Sequence, residues 1–278
     1  MARERITLKS NSEIVLMREA GLITAAALKA VRGAIAPGVS TLELDAIAEA
    51  TIVSMGAKSN FKLVGGYRHT ICASINDEVV HGIPSQDRIL KAGDIVSVDC
   101  GAITPAGWNG DAAFSMVVPG GDPELMAHRQ KVSDAGEAGL WAGIAAFATA
   151  KRLNEVGRAV EKSIKAAGRF GILQDYIGHG VGRSMHEDPA VYNYQTRDLG
   201  PVIEPGLVIA IEPMITAGSQ AVKILDDEWT VSSKDGSDSS HWEHTVARHA
   251  GGIWVLTAED GGVAGLAKYG ITPVPLES

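Results

Sequence analysis

The chain has 278 residues, 45% of them hydrophobic, and a net charge of −8, which suits one large domain or two modest ones with a substantial core. It contains no block of basic residues, so its composition gives no electrostatic support for binding DNA or other nucleic acids. No apolar run approaches the roughly 18 residues of a membrane span, and the opening residues MARERITLKSNSEI lack an apolar signal core, so we expect a cytoplasmic protein with no membrane partner.

Two helices with similar start signals are predicted near the beginning of the chain. Residues 10–13, SNSE, match a capping box, and apolar residues follow at helical spacing until Pro-Gly at 37–38 ends the helix. Residues 40–43, STLE, match a second capping box, which begins a helix that ends near Gly56. A similar pair of helices is predicted over residues 131–168.

A β-hairpin is predicted over residues 93–111, GDIVSVDCGAITPAGWNGD. The first arm has the β-branched content of a buried strand, and Pro105 lies in turn-forming sequence. If the arms pair about Pro105, Asp99 and Asp111 lie opposite each other with Cβ atoms roughly 5 Å apart. Two carboxylates at that distance repel by roughly 3 kcal/mol at an effective dielectric of about 20. The hairpin therefore predicts a proton or a cation between them.

The sequence contains a weak internal repeat. LKAGDIVSVD at 90–99 aligns with IEPGLVIAIE at 203–212, which matches Gly93 with Gly206 and Asp99 with Glu212. Chance similarity between two helix–strand units is the alternative explanation. If the repeat reflects duplication, two halves meeting at a pseudo-twofold axis would bring both carboxylates to one centre.

Four acidic residues fall in or at the ends of apolar strand-like runs, where an ionised side chain is costly unless it is paired or binds a metal; they are Asp99, Asp111, Glu212 and Glu243. His179, in the glycine-rich run GHGVG, is the candidate nitrogen ligand. The formal charge of −4 on the four carboxylates is balanced by two divalent ions. Oxygen-rich ligation with one nitrogen suits Mn²⁺, Fe²⁺ or Co²⁺, and Zn²⁺ also fits. Two such ions would activate a water and polarise a carbonyl, which is hydrolase chemistry.

Other reaction signatures are absent from the sequence. HWEH at 241–244 is not the HExxH motif of zinc peptidases, and neither a GxSxG elbow nor a phosphate-binding GxxxxGK[ST] loop occurs. The chain has no CxxC pair, which excludes a cysteine zinc site. Counting cysteines alone leaves a disulfide between Cys72 and Cys100 open.

Six short motifs occur in a specific order along the chain: SINDEVVHGIP (74–84), VDCGA (98–102), NGDAAF (109–114), IGHGVGRSMHEDP (177–189), IEPM (211–214) and WEHT (242–245). In this order they resemble the type I methionine aminopeptidases. The resemblance implies an α+β pita-bread fold, with a pseudo-twofold duplication and a curved antiparallel sheet covered by helices. It also implies a single catalytic domain over residues 10–257, with tails at 1–9 and 258–278.

The resemblance, carried over motif by motif, implies five metal ligands. Asp99 would chelate one ion, Asp111 and Glu243 would bridge both ions, and His179 with Glu212 would complete the other. The cofactor would be two divalent metal ions.

The same resemblance implies roles in catalysis. Glu212 would take the proton from the bridging water, His186 would stabilise the tetrahedral intermediate, and His81 would lie near the substrate amine and first peptide bond. The reaction would remove the initiator methionine from nascent peptide N-termini, preferentially before a small second residue. We expect a monomer whose contact with the ribosome, if any, is transient and uses the surface of the catalytic domain.

Family analogy also places four residues around the methionine side chain: Tyr67, Cys72, Met185 and Trp229. Each of the four also suits an ordinary core position. The stretch VGGYRHT at 64–70 departs from the family, because Val64, Gly65 and Arg68 replace the Tyr, His and Pro of many members. We therefore expect activity to persist with altered selectivity or a looser pocket wall.

Three alternatives share the predicted fold. Proline-specific peptidases usually carry a large N-terminal domain, whereas the first capped helix here begins near residue 10. Metal-free creatinase-like enzymes and non-catalytic binding proteins need not keep five ligands, so the joint presence of these ligands favours the metallopeptidase.

Overall fold

The structure, a computed structural model, describes residues 6–277. The helices in this range are α1 (Asn11–Ala34), α2 (Thr41–Ser54), α3 (Pro123–Thr149), α4 (Asn154–Ala167) and α5 (Val263–Ala267), and Phe61–Leu63 form a short 3₁₀ turn. Both predicted capping boxes are confirmed. The Ser10 hydroxyl accepts from the Glu13 N–H while the Glu13 carboxylate accepts from the Ser10 N–H, and residues 40 and 43 repeat this exchange.

The third helix begins earlier than predicted. It starts at Pro123, because the Asp122 carboxylate accepts hydrogen bonds from the N–H groups of Glu124 and Leu125 and so caps the helix there. Proline is tolerated at this first position, since its missing N–H would have no partner within the helix.

The strands are β1 (Lys58–Ser59), β2 (Ile71–Ile75), β3 (Glu78–Val80), β4 (Ile95–Ile103), β5 (Asn109–Val117), β6 (Gly171–Ile172), β7 (Gly178–Gly180), β8 (Glu187–Val191), β9 (Val208–Ile211), β10 (Met214–Thr216), β11 (Val222–Ile224), β12 (Val231–Ser233), β13 (Ser239–His241), β14 (Glu243–His249) and β15 (Gly252–Val255). The main sheet is antiparallel and runs β1-β4-β5-β14-β9-β7-β8, with β2 also paired to β4 and β15 to β14. Two smaller sheets have the orders β13-β10-β6 and β11-β12-β3. The predicted α+β class is confirmed.

The hairpin predicted over residues 93–111 forms, but its register differs from the prediction. Asp99 pairs with Ala113, and Asp111 pairs with Gly101. The turn is closed by hydrogen bonds from the Gly107 N–H to the Thr104 carbonyl and from the Thr104 N–H to the Trp108 carbonyl, and with Thr104 opposite Trp108 the arms pivot about residue 106 instead of Pro105. Moving the pivot by one residue moves each partner by two, which leaves both carboxylates on the same face of the sheet. They are diagonal neighbours, not a directly opposed pair.

Opposite faces of the main sheet have different roles. On β4, Val96 and Val98 belong to the core beneath α1 and α2, whereas Asp99 points to the other face. The same alternation separates the two cysteines, which are free thiols. Cys72 is opposite Asp99 and faces the same cavity, and Cys100 lies in the core on the helix side.

The two aligned sequence segments share one backbone arrangement. Gly93 and Gly206 both have positive φ, at 85° and 99°. The Gly93 N–H donates to the Val118 carbonyl, and the Gly206 N–H donates to the Arg248 carbonyl. The return bonds match as well, since Val118 N–H donates to residue 94 and Arg248 N–H donates to residue 207. Each half therefore pairs a helix hairpin with an equivalent strand pair, β4–β5 or β9–β14.

The two halves meet at a narrow seam. Strand β14 pairs with β5 through two residue pairs, Glu243 with Ala113 and His244 with Ala112. Within the first half, by contrast, β4 and β5 pair along their whole length from Ile95 to Ile103.

The ends of the described chain pack against the sheet. Lys9 is buried and pairs with Glu187 at 2.7 Å, and Leu266 of α5 lies in the core that includes α3. The predicted tails at 1–9 and 258–278 extend beyond the described residues at positions 1–5 and 278, so the division into a domain with two tails stays a prediction. No helix between residues 6 and 277 is long and apolar enough to cross a membrane.

Candidate metal centre and active site

The structure brings all five predicted metal ligands to one cavity of about 370 Å³. They come from five separate places in the fold: Asp99 on β4, Asp111 on β5, His179 on β7, Glu212 just after β9 and Glu243 at the start of β14. Because the strands are neighbours in the main sheet, ligands from both halves of the chain meet across the seam.

Glycines let the His179 strand lie close to its neighbours. A Cβ atom at Gly180 would lie 2.2 Å from the Asp188 carbonyl oxygen, and one at Gly178 would lie 2.4 Å from the Ala210 carbonyl oxygen. Any larger residue at either position would push the strand away from the sheet. These glycines therefore fix the position of the imidazole between them.

The imidazole of His179 is oriented for binding a cation. Its Nδ1 lies 2.9 Å from the Gly180 carbonyl oxygen, which can only accept a hydrogen bond, so Nδ1 carries the proton. The unprotonated Nε2 then faces two carboxylates, at 3.4 Å from Glu212 Oε1 and 4.0 Å from Asp111 Oδ2. An imidazole held this way through its other nitrogen is a common arrangement for metal ligands.

Burial strongly disfavours charge on these carboxylates in the absence of a cation. It raises the pKa of Asp99 to about 7. Burial, reinforced by the charge of Asp99, raises the pKa of Asp111 and Glu212 well above their usual ranges. Glu243 also has a raised pKa, first from burial and then from the neighbouring carboxylates. Burial is also the main reason that the pKa of His179 falls to about 4, which keeps this imidazole neutral.

The same residues have polar atoms without hydrogen-bond partners. Within the described part of the chain, the buried atoms that lack a partner in this cavity are Asp99 Oδ1, Asp111 Oδ1, Glu212 Oε1, His241 Nε2 and Glu243 Oε1. Buried polar atoms in folded proteins nearly always have a hydrogen-bond partner. Five buried atoms without one in a single cavity therefore indicate that they bind something else. Divalent cations would satisfy the oxygen atoms and offset the repulsion. The side chains therefore fit a metal centre.

Two sets of ligand atoms are close enough to share an ion. Asp111, His179 and Glu243 offer atoms within 4.8 Å of one another, and so do Glu212, His241 and Glu243. Glu243 belongs to both sets, which suits a bridging position. Asp99 lines the same cavity but lies outside these two sets.

The predicted catalytic histidines surround the opening of the centre. The ring of His186 makes an edge-on contact with that of His179, with centroids 4.3 Å apart and an angle of 69° between the ring planes. His81 lines the cavity and packs against Tyr176 at 5.8 Å. It has φ near 60°, an uncommon conformation for a residue other than glycine, and such strain is often found at functional sites.

The four residues predicted around the substrate side chain also lie together. Tyr67 and Cys72 are buried, and Val64, Met185 and Trp229 pack against them while lining the cavity. Of the three departures in VGGYRHT, Val64 alone lines the cavity among the described residues, whereas Gly65 and Arg68 are exposed.

Several cavity residues were missed by the sequence analysis. Phe61 and Tyr176 have no motif that would mark them. His241 did have a usable signal, because it precedes Glu243 by two residues and alternation along a strand places both side chains on one face.

Comparison with known proteins agrees with this site. The model of metallopeptidase family M24 matches residues 15–248. Methionine aminopeptidase 1 of Mycobacterium tuberculosis is 46% identical over 260 residues, which cover 92% of this chain and 96% of that protein.

Solved structures give the same picture of the fold. A methionine aminopeptidase from Thermotoga maritima superposes with a TM-score of 0.86 at 37% identity, covering 92% of this chain and all of that one. A prolidase from Pyrococcus furiosus superposes with a TM-score of 0.65 at 24% identity, covering 90% of this chain and 65% of that one, and shows the shared fold alone. The predicted pita-bread fold is confirmed by these neighbours.

Proposed function

The chain belongs to metallopeptidase family M24, and from this membership and the cavity we propose that it is a metal-dependent methionyl aminopeptidase. It removes the initiator methionine from nascent peptide N-termini and prefers a small second residue. The observation that carries the proposal is the convergence of four carboxylates and one imidazole, with unpartnered buried atoms, beside an apolar subsite.

Five side chains would hold the metal ions. Asp99 would bind one ion, Asp111 and Glu243 would be shared by two ions, and His179 with Glu212 would bind the other. Four carboxylates match two divalent ions in charge, and the donor set suits Mn²⁺, Fe²⁺ or Co²⁺, with Zn²⁺ also compatible. When bound, these ions would lower the pKa of a water and polarise the scissile carbonyl.

The protein groups around the centre handle the proton and the substrate. Glu212 lines the cavity with 13% of its side chain exposed, so it can accept a proton from the attacking water. His186 lies beside His179 and can donate to the oxygen that becomes negative. His81, which lines the same cavity and packs against Tyr176, is assigned to contact the substrate amine and first peptide bond.

Selectivity would come from the apolar end of the cavity. The wall formed by Tyr67, Cys72, Met185 and Trp229 suits an unbranched thioether side chain. Val64 is the family departure that reaches this wall, and its small side chain leaves more room than the tyrosine found in many relatives.

The wider setting follows from the proposed reaction. We place the enzyme in the cytoplasm as a monomer with a single catalytic domain over residues 10–257. It would meet nascent chains through transient contact between the ribosome and the surface of that domain.

Hydrolysis of short peptides tests the proposal. The enzyme, stripped with chelator and reloaded with Co²⁺ or Mn²⁺, should release methionine from Met-Ala-Ser much faster than it cleaves Leu-Ala-Ser or an Xaa-Pro dipeptide. Preferred cleavage of Xaa-Pro would establish a proline-specific peptidase instead. Tight metal binding without turnover of any peptide would indicate a binding protein, and strong turnover of Leu-Ala-Ser would remove the assigned methionine selectivity.

A further inference from the structure

His241 is a buried histidine of the cavity to which neither the motifs nor the proposed mechanism gives a role. Its side chain is only 3% exposed, and it projects from the end of β13 on the same face as Glu243. Among the described residues no group hydrogen-bonds to its Nε2 atom.

The backbone of His241 is held firmly in place. Its N–H donates to the Ser115 hydroxyl at 2.9 Å and to the Ser97 hydroxyl at 3.2 Å, while its carbonyl accepts from Ser115 Oγ at 3.0 Å. The residue also pairs with Met214 on the adjacent strand β10 of its own sheet. The backbone of His241 is therefore held by β4 and β5, which carry Asp99 and Asp111, and by β10, which begins two residues after Glu212.

The distances around Nε2 fit coordination better than hydrogen bonding. Nε2 lies 3.8 Å from Glu212 Oε2 and 3.9 Å from Glu243 Oε2. Both distances exceed the 2.7–3.2 Å of a normal N–H···O hydrogen bond. Two ligand atoms on one ion, each bonded at about 2.0–2.2 Å, can be up to about 4.3 Å apart. The separations are thus too long for a direct bond to either carboxylate and within the range for a shared cation.

The neighbouring hydroxyl groups do not compete for the Nε2 atom of His241. Ser97 and Ser115 are engaged with the backbone of His241, so neither hydroxyl supplies a partner for Nε2.

We propose that His241 is a sixth protein ligand of the centre and binds through Nε2 the ion assigned to His179 and Glu212. The inference rests on the proposed metal centre and extends it from one imidazole to two. Additional nitrogen ligation strengthens the preference for Co²⁺, Ni²⁺ and Zn²⁺ relative to Mn²⁺ and Mg²⁺. Metal choice in this enzyme would then differ from that of a centre with one imidazole.

Cobalt provides a direct count of the coordinated imidazoles. Each histidine bound to high-spin Co²⁺ gives a strongly shifted, exchangeable N–H resonance in the proton NMR spectrum. With Co²⁺ added to the full chain, we expect two such resonances. His179→Gln should remove one and His241→Gln the other, and the second variant should weaken Co²⁺ binding by about tenfold or more while weakening Mn²⁺ binding less.

Glutamine at position 241 separates ligation from a purely positioning role, since its amide can donate a hydrogen bond but is a poor ligand for these ions. His244→Gln is the matched control, because His244 lies three residues further along the chain, in β14, and points away from the cavity, where its Nδ1 contacts Thr257 Oγ1 at 2.8 Å. This control should keep both resonances and the wild-type affinity for Co²⁺.

The outcomes separate the role of His241 from the existence of the metal centre itself. A single imidazole resonance in the wild-type protein, assigned to His179, would overturn the role of His241 and leave the five-ligand centre intact. If His241→Gln kept the wild-type affinity for Co²⁺ and the wild-type preference between Co²⁺ and Mn²⁺, the role of His241 would also be overturned. Failure of the protein to bind Co²⁺ at all would refute the proposed centre itself. The count in the wild type needs no variant, so a misfolded His241→Gln protein does not block the test.

Discussion

Replacing Asp99 by asparagine should stabilise the metal-free protein, and the gain should grow with pH. Burial raises the pKa of this carboxyl from 3.8 to about 7 in the folded chain. Below pH 3.8 the carboxyl is protonated in both the folded and the unfolded chain and has no effect on the free energy of unfolding. Between 3.8 and about 7 the unfolded chain loses the proton first, so stability falls as pH rises.

The size of the effect follows from the two pKa values. A difference between 3.8 and about 7 corresponds to about 4 kcal/mol at pH 8, and to about 2 kcal/mol at pH 5. Asparagine has no charge to bury, so Asp99→Asn should gain about 2–3 kcal/mol relative to wild type between these pH values. The Oδ1 atom of asparagine can still accept the hydrogen bond that Asp99 accepts from the Cys100 N–H, so this contact does not offset the gain.

Chemical denaturation of chelator-treated protein at pH 5 and pH 8 measures this difference. Asp87→Asn is the control, because Asp87 is exposed and its replacement should show no comparable growth with pH. If the stability difference between Asp99→Asn and wild type were the same at both pH values, the carboxyl would not be strained by burial, and the electrostatic argument for a cation at this place would fail.

Three further predictions concern the loaded centre. Asp111→Asn should lose metal binding and peptide hydrolysis together, because a bridging position needs two anionic oxygens; retention of two ions, measured by elemental analysis, would contradict the bridge. His186→Ala should keep its metal content but lower kcat by roughly 10² to 10³, the usual effect of removing one preorganised donor, so a near-normal kcat would exclude that role. Metal affinity, measured by calorimetry, should tighten from pH 6 to pH 8, because raised pKa values leave protons on the carboxyls that a cation must displace. An affinity that does not change with pH would show that these carboxyls are already ionised.

Local features of the fold could be predicted from the sequence, because the residues that determine them are adjacent. The capping boxes at Ser10 and Ser40 involve a residue and its third neighbour, and both formed as expected. The hairpin could be predicted but its register could not. The choice of pivot depends on the hydrogen bond between Gly107 and Thr104, and a one-residue difference there moves every cross-strand partner by two.

Residues of the candidate site could be predicted where a sequence motif marked them. Residues outside such motifs were missed. Five ligands were named because four carboxylates fall in or at the ends of apolar strand-like runs and His179 lies in a glycine-rich run, and their resemblance to a known family added their roles. The structure gathers all five in one cavity. His241 has no such context, and its proximity to Glu212 depends on the pairing of β13 with β10, which no sequence pattern specified. Phe61 reaches the cavity from a 3₁₀ turn and likewise gave no periodic signal.

The short contact between β5 and β14 has a mechanical consequence. Two residue pairs join the strands there, and candidate ligands lie on either side of that junction, with Asp111 on one strand and Glu243 on the other. Ions held between them would hold the two halves of the sheet together at this short contact. The amide hydrogen of Ala113, which alternation along β5 directs towards β14 together with that of Asp111, should then exchange faster once the ions are chelated, while the amide hydrogen of Ala112 on the β4 side keeps its protection.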